Sequence, residues 1–201
     1  MRKAKALAQL KSKLTPGQSY RRSDLARFTT SVDRHLGILL KEGTLKKVSY
    51  GLYAVPRATV FGEPPPDEHS LISAFLKDDH FVVYNPSQFN SLGLGTTQLY
   101  NHTIVFNRKR VGEIHLGARD YSFYRWREAP KSLSQEFLLV ECVNRLNALA
   151  EDRDLLMLKL KEKVSQFNPN RLMYAVRHYG TVSTQKILIQ MIHQKMEFKI
   201  K

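Results

Sequence analysis

The chain has 201 residues, of which 42% are hydrophobic and 25% charged, and these proportions argue against a wholly disordered protein. The single cysteine, Cys142, excludes an internal disulfide and a multi-cysteine zinc site, and it fits a reducing compartment. The formal net charge is +14 at pH 7, which favours a polyanionic partner.

The positive charge is concentrated near the start of the chain. Residues 1–59 contain 13 Lys or Arg against 3 Asp or Glu, whereas the rest contains 19 against 15. Nucleic acid is the first partner that this pattern suggests, and an anionic membrane surface is the second. A solvated basic face without a partner is the remaining alternative.

The first elements follow helical spacing. Residues 1–13 predict a helix with Leu7 and Leu10 on its apolar side, and Ser23 is a good N-cap for a short second helix. Thr30 and Asp33 have the spacing of a capping box at the start of a third helix over residues 32–42. Gly43 stands where a left-handed residue is expected to end that helix.

The third helix and the segment after it resemble a DNA-reading unit. The expected core stripe of the helix consists of Val32, Leu36, Leu39 and Leu40. The segments "LKKV" and "LYAV" predict two short strands joined by "SYG". Helix, helix, turn, helix and a two-stranded wing form a winged helix-turn-helix pattern, which we assign to residues 1–60.

A linker and a second domain follow. The prolines of residues 61–66, "FGEPPP", predict a linker, since consecutive prolines cannot continue a helix or a central strand. Residues 67–201 predict a mixed α/β domain with a helix, four short strands and a Gly-rich turn "GLGTTQ", ending in a helical bundle after Pro130. The fold class is therefore α+β, with an N-terminal winged helix-turn-helix, a mixed α/β domain and a helical C-terminal tail.

Two motifs resemble one family. "YGLYAVP", with Gly51, Tyr53 and Pro56, is similar to the wing of the AbiEi family of bacterial antitoxins. "NSLGLGTTQLYNHTIVF" resembles that family's Gly-Leu-x-Thr-Gln segment leading into a strand. The family's wing commonly has Arg where this chain has Tyr50, and the insertion "LYNHT" also departs from its pattern.

The resemblance implies a function. AbiEi-type proteins repress their own toxin–antitoxin operon through an N-terminal winged helix. Through a C-terminal domain they counteract a nucleotidyltransferase-like toxin encoded next to them. The resemblance therefore implies two partners: double-stranded operator DNA, and the cognate toxin, directly or indirectly.

The third helix supplies the candidate base contacts. Its side opposite the core stripe carries Ser31, Arg34, Gly37, Ile38 and Lys41. Arg34 is the best candidate for a bidentate contact to guanine. His35 lies beside the core stripe and is interpreted as semi-buried.

Other residues are predicted to surround that helix on DNA. Phosphate contacts are expected from basic residues before the helix and on the wing, namely Arg21, Arg22, Lys46 and Lys47. Thr30 is a further candidate, although its hydroxyl is expected to cap the helix. Tyr50 at the wing tip suits a minor groove or a sugar, or packs on the wing itself.

The sequence gives little sign of catalysis. Glu113 and His115 share one face of a strand, but a metal-dependent nuclease needs at least two acidic ligands, and no convincing set is found. The Gly-rich turn lacks the Lys of a phosphate loop. Cys142 lies on an apolar helical stripe and is assigned to the core. We predict that the chain is not an enzyme and has no catalytic residues, metal site or cofactor.

A second surface is a candidate for protein contacts. Aromatic residues alternate with arginines in "YSFYRWRE", and a basic turn "NRKR" precedes it. The predicted partner residues are Arg108, Lys109, Arg110, Arg125, Trp126 and Arg127. A strand that is half-buried against the helical tail would show the same sequence pattern.

Two further functions stay open. One is a nucleic-acid-processing enzyme that uses the winged helix to capture its substrate. The other is a transcriptional regulator whose second domain binds a small molecule. No apolar run approaches the roughly 20 residues needed to span a bilayer, and no apolar segment of a signal peptide follows the basic start. We therefore expect a cytoplasmic protein without a membrane partner. The resemblance to AbiEi antitoxins further implies a bacterial protein that is associated with the nucleoid when bound to its operator.

Overall fold

The computed structural model describes residues 2–60, 62–126, 130 and 132–198. Its fold is mixed α+β with a helical C-terminal region, as the sequence predicts at this level. The chain forms two compact units. The first contains residues 1–80 and 109–123, and the second contains residues 81–108 and 124–201. These units do not coincide with the predicted division at residues 61–66.

Within residues 2–60, the first unit contains three helices and three short strands. They are α1 (Arg2–Lys11), β1 (Ser19–Arg21), α2 (Arg22–Leu25), α3 (Val32–Lys41), β2 (Lys46–Ser49) and β3 (Leu52–Ala54). The strands form an antiparallel sheet in the order β1-β3-β2, in which Ala54 pairs with both Ser19 and Lys46. The predicted helices and the two predicted strands are present, and β1 is an additional strand.

A small apolar core holds these elements together. It contains Leu10, Leu25, Val32, Leu36, Leu39, Leu45 and Val55. Leu40, predicted to belong to this core, is 36% exposed. His35 is 5% exposed, more buried than predicted, and its Nδ1 shares a hydrogen bond with Thr29 Oγ1 at 2.9 Å. This bond satisfies two polar groups that would otherwise be costly to bury.

The start of α3 differs from the predicted capping box. The N-cap residue is Ser31, and its side chain makes no capping hydrogen bond. Thr30 is exposed, whereas the hydroxyl of Thr29 accepts a hydrogen bond from the Ser31 amide at 3.2 Å. The prediction of a Thr30–Asp33 pair was therefore wrong. Gly43 has φ +72°, which confirms the left-handed residue after the helix.

Further elements complete the first unit. They are α4 (Glu68–Leu76), β6 (Gly112–Leu116) and β7 (Arg119–Arg125), whose last two residues belong to the second unit. β6 and β7 form an antiparallel hairpin, with Glu113 paired to Ser122. The Gly117 amide at the hairpin turn donates to the carbonyl of Val48 at 3.2 Å, so the hairpin lies against β2.

Among its described residues, the second unit contains two paired strands and four α-helices. β4 (Phe81–Tyr84) and β5 (Thr103–Asn107) are antiparallel, with Val83 opposite Val105. A 3₁₀ helix (Pro86–Leu92) lies between them, ahead of the Gly-rich turn. The helices are α5 (Gln135–Asn144), α6 (Arg153–Val164), α7 (Pro169–Tyr179) and α8 (Val182–Phe198). All four lie in segments predicted to be helical, but α5 is buried on all sides over residues 137–143 and does not show the predicted stripe.

The core of the second unit contains an ionic cluster. Glu141 on α5 is 3% exposed and accepts hydrogen bonds from the Tyr84 hydroxyl at 2.6 Å and from Asn144 Nδ2 at 2.6 Å. Arg145 Nε donates to the Tyr84 oxygen at 2.9 Å. Desolvation is the main cause of the raised pKa of Tyr84, and the neighbouring Glu141 carboxylate raises that pKa further. The cluster satisfies a carboxylate that would otherwise be expensive to bury.

Cys142 belongs to the same core, as predicted. Its side chain is fully buried, and burial raises the pKa of its thiol to about 12, with a smaller contribution from Glu151. A thiol of this kind is protonated at neutral pH and is not a nucleophile. Within the described residues, no helix is both long and apolar enough to cross a membrane.

Candidate nucleic-acid interface

The side of α3 away from the core is open to solvent. Ser31, Arg34, Gly37 and Lys41 are exposed on it, and Ile38 is half-buried. A Cβ added to Gly37 would meet no heavy atom within 4 Å. Packing inside the protein therefore does not require glycine there. This face is polar and basic, and Gly37 at its centre has no side chain.

Arg34 is the arginine of this face that is free to bind a ligand. Its side chain makes no hydrogen bond or ion pair with any described residue. It lies in the first turn of α3, where Ser31 and Asp33 are also exposed. A guanidinium in this position has all five of its donors free for a base edge or a phosphate.

Arg22 is already paired. Its guanidinium donates to Asp33 through Nε at 2.7 Å and through Nη2 at 2.5 Å. The hydrogen bond from Arg22 is the main cause of the lowered pKa of Asp33, which keeps that carboxylate ionised. The pair joins the first residue of α2 to the first turn of α3, and it neutralises one of the predicted phosphate contacts.

Arg21 is engaged by backbone rather than by solvent. Its Nε donates to the carbonyl of Ala74 and its Nη2 to the carbonyl of Phe75, both at the end of α4. Burial is the largest cause of the lowered pKa of Arg21. Its charge is favourable at the carbonyl end of a helix. The structure thus gives Arg21 an internal role that its sequence position did not indicate.

The hairpin β2–β3 carries the remaining predicted residues. Lys46 forms an ion pair with Glu63 at 2.7 Å, whereas Lys47 is exposed and has no partner among the described residues. Tyr50 at the tip is 96% exposed, so it does not pack on the hairpin. Gly51 beside it has φ +66°, a conformation that glycine adopts without strain.

Two basic residues outside the predicted set belong to the same segment. Arg27, just after α2, and Arg57, just after β3, are exposed and make no ion pair with described residues. In the sequence, the only sign that Arg27 and Arg57 could bind a polyanion was their contribution to the basic excess of residues 1–59. Helical spacing could not select them, because neither lies in a regular element.

The six predicted partner residues are divided between the units. Lys109 Nζ donates to the carbonyl of Lys77 at 2.7 Å, and the Arg110 guanidinium lies over the Phe75 ring at 5.7 Å. In the second unit, Arg108 and Arg125 are exposed and Trp126 is half-buried. Arg127 lies outside the described residues. Lys109 and Arg110 therefore make internal contacts, and they do not form one free basic turn.

The residues considered as catalytic candidates do not form a metal site. Ser122 Oγ donates to the exposed Glu113, and His115 Nδ1 lies 2.7 Å from Asp120, which raises the pKa of His115 by a hydrogen bond. No group of three or more His, Cys, Asp or Glu residues that could hold a metal occurs in the described part of the chain.

An open polar cleft of about 810 Å³ in the first unit is lined by residues of both charges, including Arg27, Asp67 and Lys77.

Together these features define a mixed α+β protein with a basic helix and hairpin exposed on its first unit. Comparison with known proteins adds the fold alone. No protein-family model and no curated protein matches the chain. Among solved structures, it is similar to the crystal structure of the RV2827C protein from Mycobacterium tuberculosis, with 15% sequence identity and a TM-score of 0.56. The alignment covers 96% of this chain and 76% of that one.

Proposed function

We propose that residues 1–60 form a winged helix-turn-helix that binds double-stranded operator DNA, and that the protein represses its own operon. In this arrangement α3 is the recognition helix and the β2–β3 hairpin is the wing. The order of the helices and the antiparallel β1-β3-β2 sheet support this assignment. A recognition helix places the residues of its first turns against base edges in the major groove.

The observation that carries the proposal is the contrast among three arginines. Arg21 binds helix carbonyls and Arg22 binds a carboxylate, whereas Arg34 is free on the exposed face of α3. A free guanidinium at the start of a recognition helix fits the O6 and N7 acceptors of guanine. Lys47, Lys41 and Tyr50 extend the same exposed set to the end of the helix and the hairpin tip.

The experiment measures DNA binding by fluorescence anisotropy with the full-length chain. The probes are the DNA upstream of its own reading frame and a shuffled duplex of the same length. Arg34→Ala should weaken specific binding by roughly 1–3 kcal/mol and leave random binding nearly unchanged. Arg34→Lys keeps the charge but loses the planar fork, so it should behave much like Arg34→Ala.

Two results would contradict the assignment of Arg34. Equal loss on specific and shuffled DNA would make it a phosphate contact. Full recovery of specific affinity by Arg34→Lys would show that charge alone is needed. Absence of any preference for the upstream DNA would remove the repressor proposal itself.

On the resemblance to AbiEi antitoxins, we further propose that the protein is an antitoxin and not an enzyme. Its toxin would be a nucleotidyltransferase-like protein encoded beside it, countered by the part of the chain after the prolines. The support is the wing motif and the "GLGTTQ" segment, residues 93–98. Co-expression with the product of the adjacent reading frame tests this: growth should stop without this chain and resume with it.

A further inference from the structure

The Gly-rich turn of the second unit has unused hydrogen-bond donors. Gly93 has φ +70° and Gly95 has φ +75°. Gly93 ends the preceding 3₁₀ helix, and its amide donates to the carbonyl of Asn90 at 3.3 Å, so the unused amides begin at Leu94. The backbone amides of residues 94–99 make no hydrogen bond with any described residue.

Two lysines of α6 lie against this turn. A Cβ built on Gly95 would collide with Lys159 Nζ, and one built on Gly93 would lie 3.9 Å from Lys163 Nζ. The lysines are one helical turn apart and both are half-buried. Neither ammonium has a hydrogen bond or a carboxylate partner among the described residues, and Lys163 Nζ lies 6.0 Å from the centre of the Phe167 ring. Two like charges at this spacing repel each other.

The hydroxyl of Thr96 is a further group without a hydrogen bond. The residue is 6% exposed, and its Oγ1 is shielded from solvent without a hydrogen-bond partner in the described structure. A buried hydroxyl without a partner destabilises a fold. Thr96 directly follows Gly95, so the turn offers backbone amides and a hydroxyl, and the helix against it offers two ammonium groups.

We infer that the backbone amides of residues 94–96, with Lys159 and Lys163, bind the phosphate group of a small molecule. A phosphate carries up to two negative charges and three or more acceptor oxygens, which matches two ammonium groups and several amides. A carboxylate has two oxygens and one charge, and would leave donors unpaired. The lysine that the turn lacks in its own sequence is supplied from α6, more than sixty residues later.

The site lies in the second unit and does not depend on the proposed DNA contacts. The direct test is isothermal titration of the full-length protein with inorganic phosphate, and separately with ATP, at constant ionic strength. We expect saturable binding of one ligand per chain in at least one arm. Tighter binding of ATP would mean that the rest of the nucleotide also contacts the site, whereas equal binding would mean that the phosphate alone is recognised.

Matched variants locate the site. Lys159→Gln and Lys163→Gln should each weaken binding by about tenfold, the effect of losing one charge-assisted contact. Lys161→Gln is the control, because Lys161 is exposed on the same helix and the change in net charge is the same. Affinity for the upstream DNA should be the same in all three variants.

Thr96→Val separates a binding role from a structural one. It removes the hydroxyl but keeps the shape, so it should weaken phosphate binding without lowering the melting temperature. Lack of saturable binding in both arms would overturn the inference. So would equal weakening by Lys161→Gln and the two other lysine variants, because binding would then reflect general surface charge.

Discussion

Arg22 and Asp33 form a two-bond ion pair, at 2.7 and 2.5 Å, that ties the first residue of α2 to the first turn of α3. The pair has a direct consequence for DNA binding. Asp33 carries a negative charge on the proposed recognition helix, and it binds Arg22, which would otherwise suit a phosphate. Because both side chains are largely exposed, the pair should add little to stability.

Asp33→Asn should therefore strengthen binding to DNA of any sequence. Arg22 becomes free, and an acid near the phosphates is removed. One added phosphate contact steepens the slope of log affinity against log salt by about 0.9. Anisotropy titrations on shuffled DNA over a salt series measure this.

Glu42→Gln provides the control for this prediction. It makes the same change in net charge at the other end of α3, where Glu42 is paired with Lys11 at 2.5 Å. A smaller effect is expected there, because the pair lies away from the first turns of the helix. If Asp33→Asn and Glu42→Gln change the slope equally, the position of the Arg22–Asp33 pair is irrelevant to DNA binding.

The two lysines of β2 should differ. Lys47 is free, whereas Lys46 is bound to Glu63 at 2.7 Å. Lys47→Ala should weaken binding to all sequences and flatten the salt slope by about one phosphate contact. Lys46→Ala should have a smaller effect, since its charge is already partly neutralised. Equal effects would show that the Lys46–Glu63 pair opens on DNA.

Arg21→Ala should act on stability more than on DNA. The substitution removes two hydrogen bonds to the end of α4, so the melting temperature should fall by roughly 2–4 °C for each kcal/mol lost. The salt slope on shuffled DNA should not change. The opposite result, a flatter slope at an unchanged melting temperature, would restore Arg21 to the phosphate contacts predicted from the sequence.

The first unit shows which features could be predicted from the sequence and which could not. The core side of α3 followed from 3.6-residue spacing, and Val32, Leu36 and Leu39 are buried as expected. Leu40 failed because it lies at the edge of that stripe, where spacing alone does not decide burial. The engagement of Arg21 depends on a carbonyl 53 residues away, and local pattern carries no information about that contact.

In the second unit, too, local elements could be predicted from the sequence, but contacts between distant residues could not. Its helices α5 to α8 could be predicted because apolar residues recur along each segment. The Gly-rich turn could be predicted as a turn, but not as a site, because Lys159 and Lys163 belong to another helix. Motif searches look for a lysine inside the loop sequence. Only the fold brings these two lysines to Gly93 and Gly95.

Tyr84→Phe should destabilise the second unit. The hydroxyl donates to Glu141 at 2.6 Å and accepts from Arg145 at 2.9 Å, inside the core. Removing it leaves the buried Glu141 and the half-buried Arg145 each short of one hydrogen bond, at a cost of about 1–3 kcal/mol. Urea unfolding followed by circular dichroism measures the loss. Tyr174→Phe is the control, since Tyr174 is 55% exposed, and a loss as large there would contradict the role of the buried cluster.

Arg125 and Trp126 are neighbours in the proposed partner surface, but they should respond differently to substitution. Trp126 is half-buried and meets Phe106 edge to face, with ring centroids 5.9 Å apart, so Trp126→Ala should lower the melting temperature. Arg125 is exposed without a described partner. Arg125→Ala should leave stability and operator binding intact and impair rescue of cells that express the toxin. Arg153→Ala, at another exposed arginine of the second unit, should protect like the original chain. If Arg125→Ala also protects fully, this strand is not the toxin-directed surface, and the exposed Arg108 becomes the residue to test next.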